Sequence, residues 1–337
     1  MAAPVPDDPL PAIDPELLFS HLSHAKGILA AVSGGPDSMA MMHLLARWGL
    51  EHRVSILVAT VDHGLRPEAA EEAAFVAREA AALSLPHRTL AWTGEKPKTG
   101  LQEAAREARY RLLIRYAREV GASHLVTAHT QDDQAETILM RLAKGSGLKG
   151  LTGMRRERNR EGITHARPLL GWPKAALLDL CQTSGWRFVT DPSNTDERFA
   201  RVRWRRLMPR LAEEGLTASR LARLAERVAQ ADEALEMKAR EALEGAAPEA
   251  GEGGLSFQAA CLAEEPFEIG LRILAQALGR IGLENIRLQR LESCVERLRT
   301  AILASESLRL TIAGALLALD RSGRLSLRPE PPRSRGR

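Results

Sequence analysis

The chain has 337 residues, more than one ordinary core accommodates, so two or three domains are expected. Apolar residues make up 45% and charged residues 27%, a globular balance, and no apolar run approaches the roughly 20 residues that span a bilayer, so no membrane partner is expected. The net charge of +4 hides an uneven distribution: residues 141–210 carry 16 Lys and Arg against 6 Asp and Glu, whereas residues 1–140 carry 13 against 18.

That basic segment is read either as a solvated face or as an attractor of a polyanion, for which nucleic acid is the usual candidate. Residues 1–11 lack the basic-then-apolar layout of an export signal, which predicts a cytoplasmic protein. Cys181, Cys261 and Cys294 form no CxxC pair and no zinc spacing, so each is expected to be a small buried residue in a reducing compartment.

In chain order, residues 1–24 read as an N-terminal extension. Strands are predicted at 27–32, 54–61, 87–92 and 123–128, with helices at 37–48, 68–83, 101–120 and 132–143. The strands are continuous apolar runs, as in strands covered on both faces. This predicts a doubly wound, mainly parallel α/β domain over 25–210. Residues 144–170 read as an irregular loop plus a short strand, 173–184 as a helix, and 186–190 as a further strand. The signal is helical over 198–243, and glycine-rich 245–254 reads as a flexible break. Helices are expected at 267–280 and 285–300, then an antiparallel meander over 307–328. Residues 211–328 thus form a helical region and a small α+β C-terminal domain, and 329–337 a disordered basic tail.

The densest chemical signal is Ser33-Gly34-Gly35-Pro36-Asp37-Ser38. A glycine pair between a strand and a helix start lets backbone N–H groups converge on an anion, helped by the helix dipole. Ser33 and Ser38 add hydroxyl donors, and Asp37 is a candidate metal ligand. The loop lacks the Lys-Ser/Thr pair of a Walker loop. It resembles the SGGxDS pyrophosphate loop of ATP pyrophosphatases.

Three further segments carry candidates. Asp62 and His63 end the second strand, either as a turn cap or as a nucleotide contact. His129 precedes a helix whose Thr130 and Asp133 fit a capping pattern; the same place at a strand end suits a substrate contact. Residues 145–154 hold four glycines within the nine positions 145–153, as a linker or as a loop folding over a ligand. Lys149, Arg155, Arg156 and Arg158 are candidates for phosphate contacts. Arg201 and Arg205 lie four apart, one helical face, and with Arg203 they leave open which reaches a nucleotide.

Together SGGPDS (33–38), DHGLRPEA (62–69), AREARY (105–110), AHTQDDQAET (128–137), GSGLKGLTGM (145–154), RPLL (167–170) and DPSN (191–194) resemble the tRNA(Ile)-lysidine synthetase family. Two positions depart from its pattern: Thr130 replaces a second histidine, and Val202 follows Arg201 where asparagine is usual. The resemblance implies a PP-loop ATPase fold and a ligase that joins free L-lysine to cytidine 34 of the CAU anticodon of tRNA(Ile), through an adenylated cytidine. It implies ATP and Mg²⁺ as cofactors, residues 33–38 with Asp62 and His63 at the nucleotide, Asp37 at the metal, and Asp37, His129, Asp133, Arg201 and Arg205 as catalytic residues. A homodimer is left open. The other readings are a tRNA thiolase, which needs reactive cysteines, a small-molecule adenylating synthetase, which does not need the basic segment, and a non-enzymatic RNA-binding protein.

Overall fold

A computed structural model describes residues 13–65, 68–97, 99–190, 200–251, 253–284 and 286–330. The expectations for DPSN, for Arg66 and for the end of the tail lie outside them. The chain divides into two compact units, Met1–Ser146 with Gly150–Glu226, and Gly147–Lys149 with Arg227–Arg337. The sequence places its division at 210/211.

The first unit is built on a six-stranded sheet of β1 (Ile28–Ala31), β2 (Ile56–Asp62), β3 (His87–Ala91), β4 (His124–Thr127), β5 (Glu157–Arg160) and β6 (Ile163–Ala166). The strand order is β3-β2-β1-β4-β6-β5. All pairs are parallel except β5 with β6. Both faces are covered. Ile28, Ala30 and Val32 point into one core with α2 (Pro36–His52), α3 (Glu68–Ala82) and α7 (Lys174–Thr183). Leu29 and Ala31 point into the other, beneath α4 (Leu101–Glu119). The period-2 alternation thus divides one apolar run between two cores.

Several expectations need correction. Residues 13–24 are not a free extension: α1 (Pro15–Phe19) and the 3₁₀ turn after it bury Leu18, Phe19 and Leu22, and Glu16 accepts a hydrogen bond from Trp48. Residues 186–190 form no strand. Trp186 instead stacks on His43, with ring centroids 4.3 Å apart, and Val189 N–H donates to Gly34 O at 2.8 Å. Loop 144–170 contains α6 (Leu148–Leu151) and the β5–β6 hairpin. The helical signal over 198–243 is two helices, α8 (Ala200–Glu213) and α9 (Ala218–Gly245), parted by a turn at Gly215.

The second unit has a five-stranded antiparallel sheet of β7 (Glu249–Gly251), β8 (Gly254–Gln258), β9 (Leu308–Ile312), β10 (Ala315–Leu319) and β11 (Arg324–Pro329), in the order β7-β8-β11-β10-β9. The expected meander is its last three strands. The first two lie in and just after the glycine-rich stretch, and Leu255 and Phe257 supply the buried alternation. The inward residues pack with α10 (Ala260–Glu264), α11 (Phe267–Arg280) and α12 (Leu288–Leu303). One buried guanidinium ties this unit together: Arg272 pairs with Asp232 at 2.8 Å, Glu236 at 3.0 Å and Glu268 at 2.9 Å. Removing one partner of such a buried group leaves uncompensated charge.

At Gly49, α2 packs directly against Ile56 of β2. A Cβ there would lie 2.6 Å from Ile56 Cγ1 and 3.1 Å from Val54 O. The Gly49→Ala variant is expected to lose about 1–3 kcal/mol by overpacking. Thermal unfolding followed by circular dichroism checks this, and an unchanged midpoint would refute the close packing.

Candidate active site

The sheet order reverses around β1. The chain leaves β1 for β2 and β3 on one side, then returns to β4 on the other. Ligands of open parallel sheets bind in the crevice that this reversal opens beyond the strand carboxyl ends. Residues 33–38 follow β1 and residues 128–133 follow β4, so the two strongest motifs flank that crevice.

The first loop is preformed. Gly34 has φ +89°, a left-handed conformation that favours glycine. Ser38 Oγ accepts from Ser33 N–H at 3.2 Å and donates to Gly35 O at 3.0 Å. Gly35 caps α2 and Pro36 begins it, so the N–H groups of Asp37 and Ser38 have no partner within the helix. A Cβ on Gly35 would meet nothing within 4 Å. Packing within the protein does not account for a glycine there, whereas close approach of a ligand does.

Asp37 follows in the first turn. Its Oδ2 lies 3.3 Å from Lys174 Nζ, and its Oδ1 is buried with no hydrogen-bond partner. Burial raises its carboxyl above the usual range; Lys174 opposes that shift, and Asp133 and Asp132 add to it. Lys174 is a site residue the sequence did not single out. It starts α7 42 positions beyond Asp132, whose Oδ2 accepts its backbone N–H at 2.8 Å.

Across the crevice, Thr130 and Asp133 form the expected capping box at the start of α5 (Gln131–Ala143). Asp133 Oδ2 accepts from Thr130 N–H at 2.9 Å. Its other oxygen lies 3.6 Å from an Arg201 nitrogen. One carboxylate therefore caps the helix with one oxygen and presents the other. Arg201 also donates to Thr137 Oγ1 at 3.5 Å. Arg205, one turn further along α8, donates to the buried Glu136 at 2.8 Å. Arg201 thus stands beside the presented acid, and Arg205 is engaged in fastening α8 to α5.

His129 lies in a strongly positive setting. Burial holds its imidazole well below the usual value, followed by Arg167, Arg109, Arg106 and Arg201. Its Nδ1 is 2.8 Å from Thr127 Oγ1, which is 2.9 Å from Nε2 of the buried His165. Burial and then Arg167 bring His165 down to about 2. Both rings are neutral near pH 7. Arg109 links the strand ends electrostatically: it lowers both His63 and His129, and Asp133 in turn supports its charge. The AREARY motif contains Arg109 without showing that it faces the crevice.

Among the other candidates, Asp62 and His63 end β2, the parallel neighbour of β1. Asp62 Oδ1 accepts from Gly64 N–H at 2.7 Å, as in the expected turn, and His63 packs edge-on to Trp92 with Nδ1 buried and unpartnered. Arg155, Arg156 and Arg158 are exposed at the β5 edge. Lys149 belongs to the second unit, 3.8 Å from Glu236. Burial pushes the Cys181, Cys261 and Cys294 thiols up to about 11. No helix among the described residues is long and apolar enough to cross a membrane.

Comparison with known proteins identifies the family. A model of the PP-loop domain family matches residues 14–211. The tRNA(Ile)-lysidine synthase of Methylobacterium nodulans is 55% identical over 317 residues, covering 93% of each chain. That of Rhodopseudomonas palustris is 49% identical over 336 residues, covering 97% of this chain and 96% of the relative. Among solved structures, the U34-tRNA thiolase NcsA from Methanococcus maripaludis superposes with a TM-score of 0.55 at 16% identity, over 64% of this chain and 77% of that one, a likeness of fold. With its PP loop and its near full-length match to curated relatives, the chain belongs to the tRNA(Ile)-lysidine synthase family of ligase-type enzymes.

Proposed function

We propose that the chain ligates L-lysine to C2 of cytidine 34 in the CAU anticodon of tRNA(Ile), giving lysidine, AMP and diphosphate, so that the tRNA decodes AUA as isoleucine. The observation that carries this reading is a phosphate cradle and a presented carboxylate at adjacent strand ends, in a chain similar to lysidine synthases over nearly its whole length.

ATP phosphates fit the 33–38 loop, where free N–H groups and the α2 dipole favour anions. One Mg²⁺ fits Asp37: its buried Oδ1 has no partner, and Mg²⁺ takes one or two carboxylates with substrate phosphates rather than a full protein cage. Bound there, it would offset charge developing on the diphosphate. Lys174 holds the other Asp37 oxygen in place. The cytosine O2 attacks the α phosphate and diphosphate leaves.

Lysine then attacks C2 as a neutral amine, although its free side chain has a pKa of about 10.4. The outward oxygen of Asp133 binds the ammonium and accepts its proton. A C–N bond forms at C2, the C2–O bond breaks, and AMP departs with the oxygen. Arg201, beside Asp133, stabilises the phosphate charge. A thiolase reading would need a nucleophilic thiolate at neutral pH, which three thiols near 11 do not supply.

Incubation with ATP, Mg²⁺, lysine and an unmodified CAU tRNA(Ile) transcript, followed by nuclease digestion and mass spectrometry, tests the reaction. A cytidine gaining lysine minus water, with stoichiometric AMP, is expected; folded protein yielding neither would refute the proposal. The same assay on Asp133→Asn, which retains an oxygen for the Thr130 cap, is expected to release diphosphate without transferring lysine.

Gly35→Ala is expected to stay within about 1 kcal/mol of wild-type stability while nucleotide affinity, measured by calorimetry, falls at least tenfold. Undiminished affinity would remove the phosphates from this loop. For tRNA backbone contacts at the β5 edge, Ala substitution of Arg155, Arg156 or Arg158 should each reduce the slope of log affinity against log salt by about 0.7–1. Filter binding across a salt series reads this, and unchanged slopes would move the contact elsewhere.

A further inference from the structure

We propose that His129 serves the reaction as a neutral hydrogen-bond donor through Nε2–H, and that Arg167, His165 and Thr127 are positioning residues that impose this tautomer. The proposal rests on the lysidine-forming reading for the reaction in which His129 takes part, but the tautomer itself follows from hydrogen-bond chemistry alone.

The chain of bonds has one obligatory direction. A guanidinium only donates. Arg167, 4% exposed, places a terminal nitrogen 3.1 Å from His165 Nδ1, so that nitrogen must be an unprotonated acceptor. His165 is buried and neutral, so its proton sits on Nε2 and points along the 2.9 Å bond to Thr127 Oγ1. Thr127 accepts that bond, and its own hydroxyl proton needs an acceptor. The remaining partner is His129 Nδ1 at 2.8 Å. Were His129 to donate from Nδ1 instead, the 1% exposed Thr127 would hold two incoming donors and an orphaned hydroxyl proton, which burial penalises. His129 therefore accepts at Nδ1 and carries its proton on Nε2.

A second contact anchors the origin of the chain. Arg167 also donates to Arg155 O at 2.7 Å, so its guanidinium is held from two sides. His129 Nε2 has no hydrogen-bond partner among the described residues. That nitrogen cannot take the proton lysine must lose, because it already holds one. It can donate to an oxygen gaining negative charge: an α-phosphate oxygen during adenylation, or the oxygen leaving C2 with AMP. His129 neither gains nor loses a proton in this role. The ammonium proton goes to Asp133.

The test uses the full chain labelled with ring-¹⁵N histidine and long-range ¹H–¹⁵N NMR near neutral pH, without substrates. His129→Asn and His165→Gln assign the two rings by loss of signal. Both rings are expected to show an unprotonated Nδ1 and a protonated Nε2. A cationic His129, or one protonated at Nδ1, would overturn the proposal, whatever the activity. Thr127→Val is expected to release His129 into mixed tautomers and to lower kcat for diphosphate release about 10- to 100-fold, with KM for ATP little changed. Thr127→Ser is expected to restore both readouts. A changed tautomer with wild-type kcat would remove the role in the reaction. If Thr127→Val does not fold, the wild-type spectrum and Thr127→Ser kinetics decide: a lost Nε2–H tautomer or a collapsed kcat in Thr127→Ser counts against the chain. Should wild-type protein form no lysidine, the reaction reading fails, and the spectrum still judges the tautomer.

Discussion

The parallel pairing of β1 with both β2 and β4 is the constraint on which the site depends. Because the chain runs from β1 to β2 on one side and later from β4 towards β5 and β6 on the other, the loops that follow β1 and β4 lead to opposite sides of the sheet order. The crevice between them is a product of connectivity, before any side chain is considered. The strands are clamped between two cores, so the loops begin from fixed points. Catalysis that depends on sub-ångström placement gains from such anchoring.

The crevice holds both signs of charge. Asp37 feels Asp133 and Asp132, and Lys174 bonds to Asp37 with its ammonium and to Asp132 with its backbone N–H. Arg167, Arg109 and Arg106 act on His129. The proposed reaction, which joins a cationic amine to an RNA base activated by a polyanionic nucleotide, needs both signs close together. The burial of these groups strengthens each field relative to water. It also keeps His129 and His165 neutral.

What the sequence made legible was local. SGGPDS announced itself because its glycines sit between an apolar strand and a helix start, and Thr130 with Asp133 because a capping box spans four residues. Lys174 gave no such signal; its meaning comes from Asp37 and Asp132, which only folding brings near. His165 was not singled out either, and its partnership with Thr127 crosses 38 positions. The misreadings have equally physical causes. Trp186 and Phe188 mimic strand alternation because they pack on the core of the first unit, while their backbone pairs with no sheet. The glycines around 251–254 suggest a break, yet strand β8 begins at Gly254, where a Cβ would strike Leu327 O at 2.6 Å. Family membership came from motif order, which no single motif carries.

The glycine-rich segment after α5 has one more property. The Gln134 side-chain amide accepts from Met154 N–H at 2.7 Å and donates to Met154 O at 3.0 Å, so one side chain meets a residue's backbone as a neighbouring strand would. Arg141 adds bonds to Gly150 O and Gly153 O. Residues 150–154 are thereby laced to the helix whose first turn carries Asp133, through backbone groups that belong to no sheet. A stretch that looks like slack in the sequence behaves as a fitted cover. Its length is set by two side chains on α5, so an insertion between Gly150 and Met154 would disturb the acid at the head of that helix before it disturbed any core.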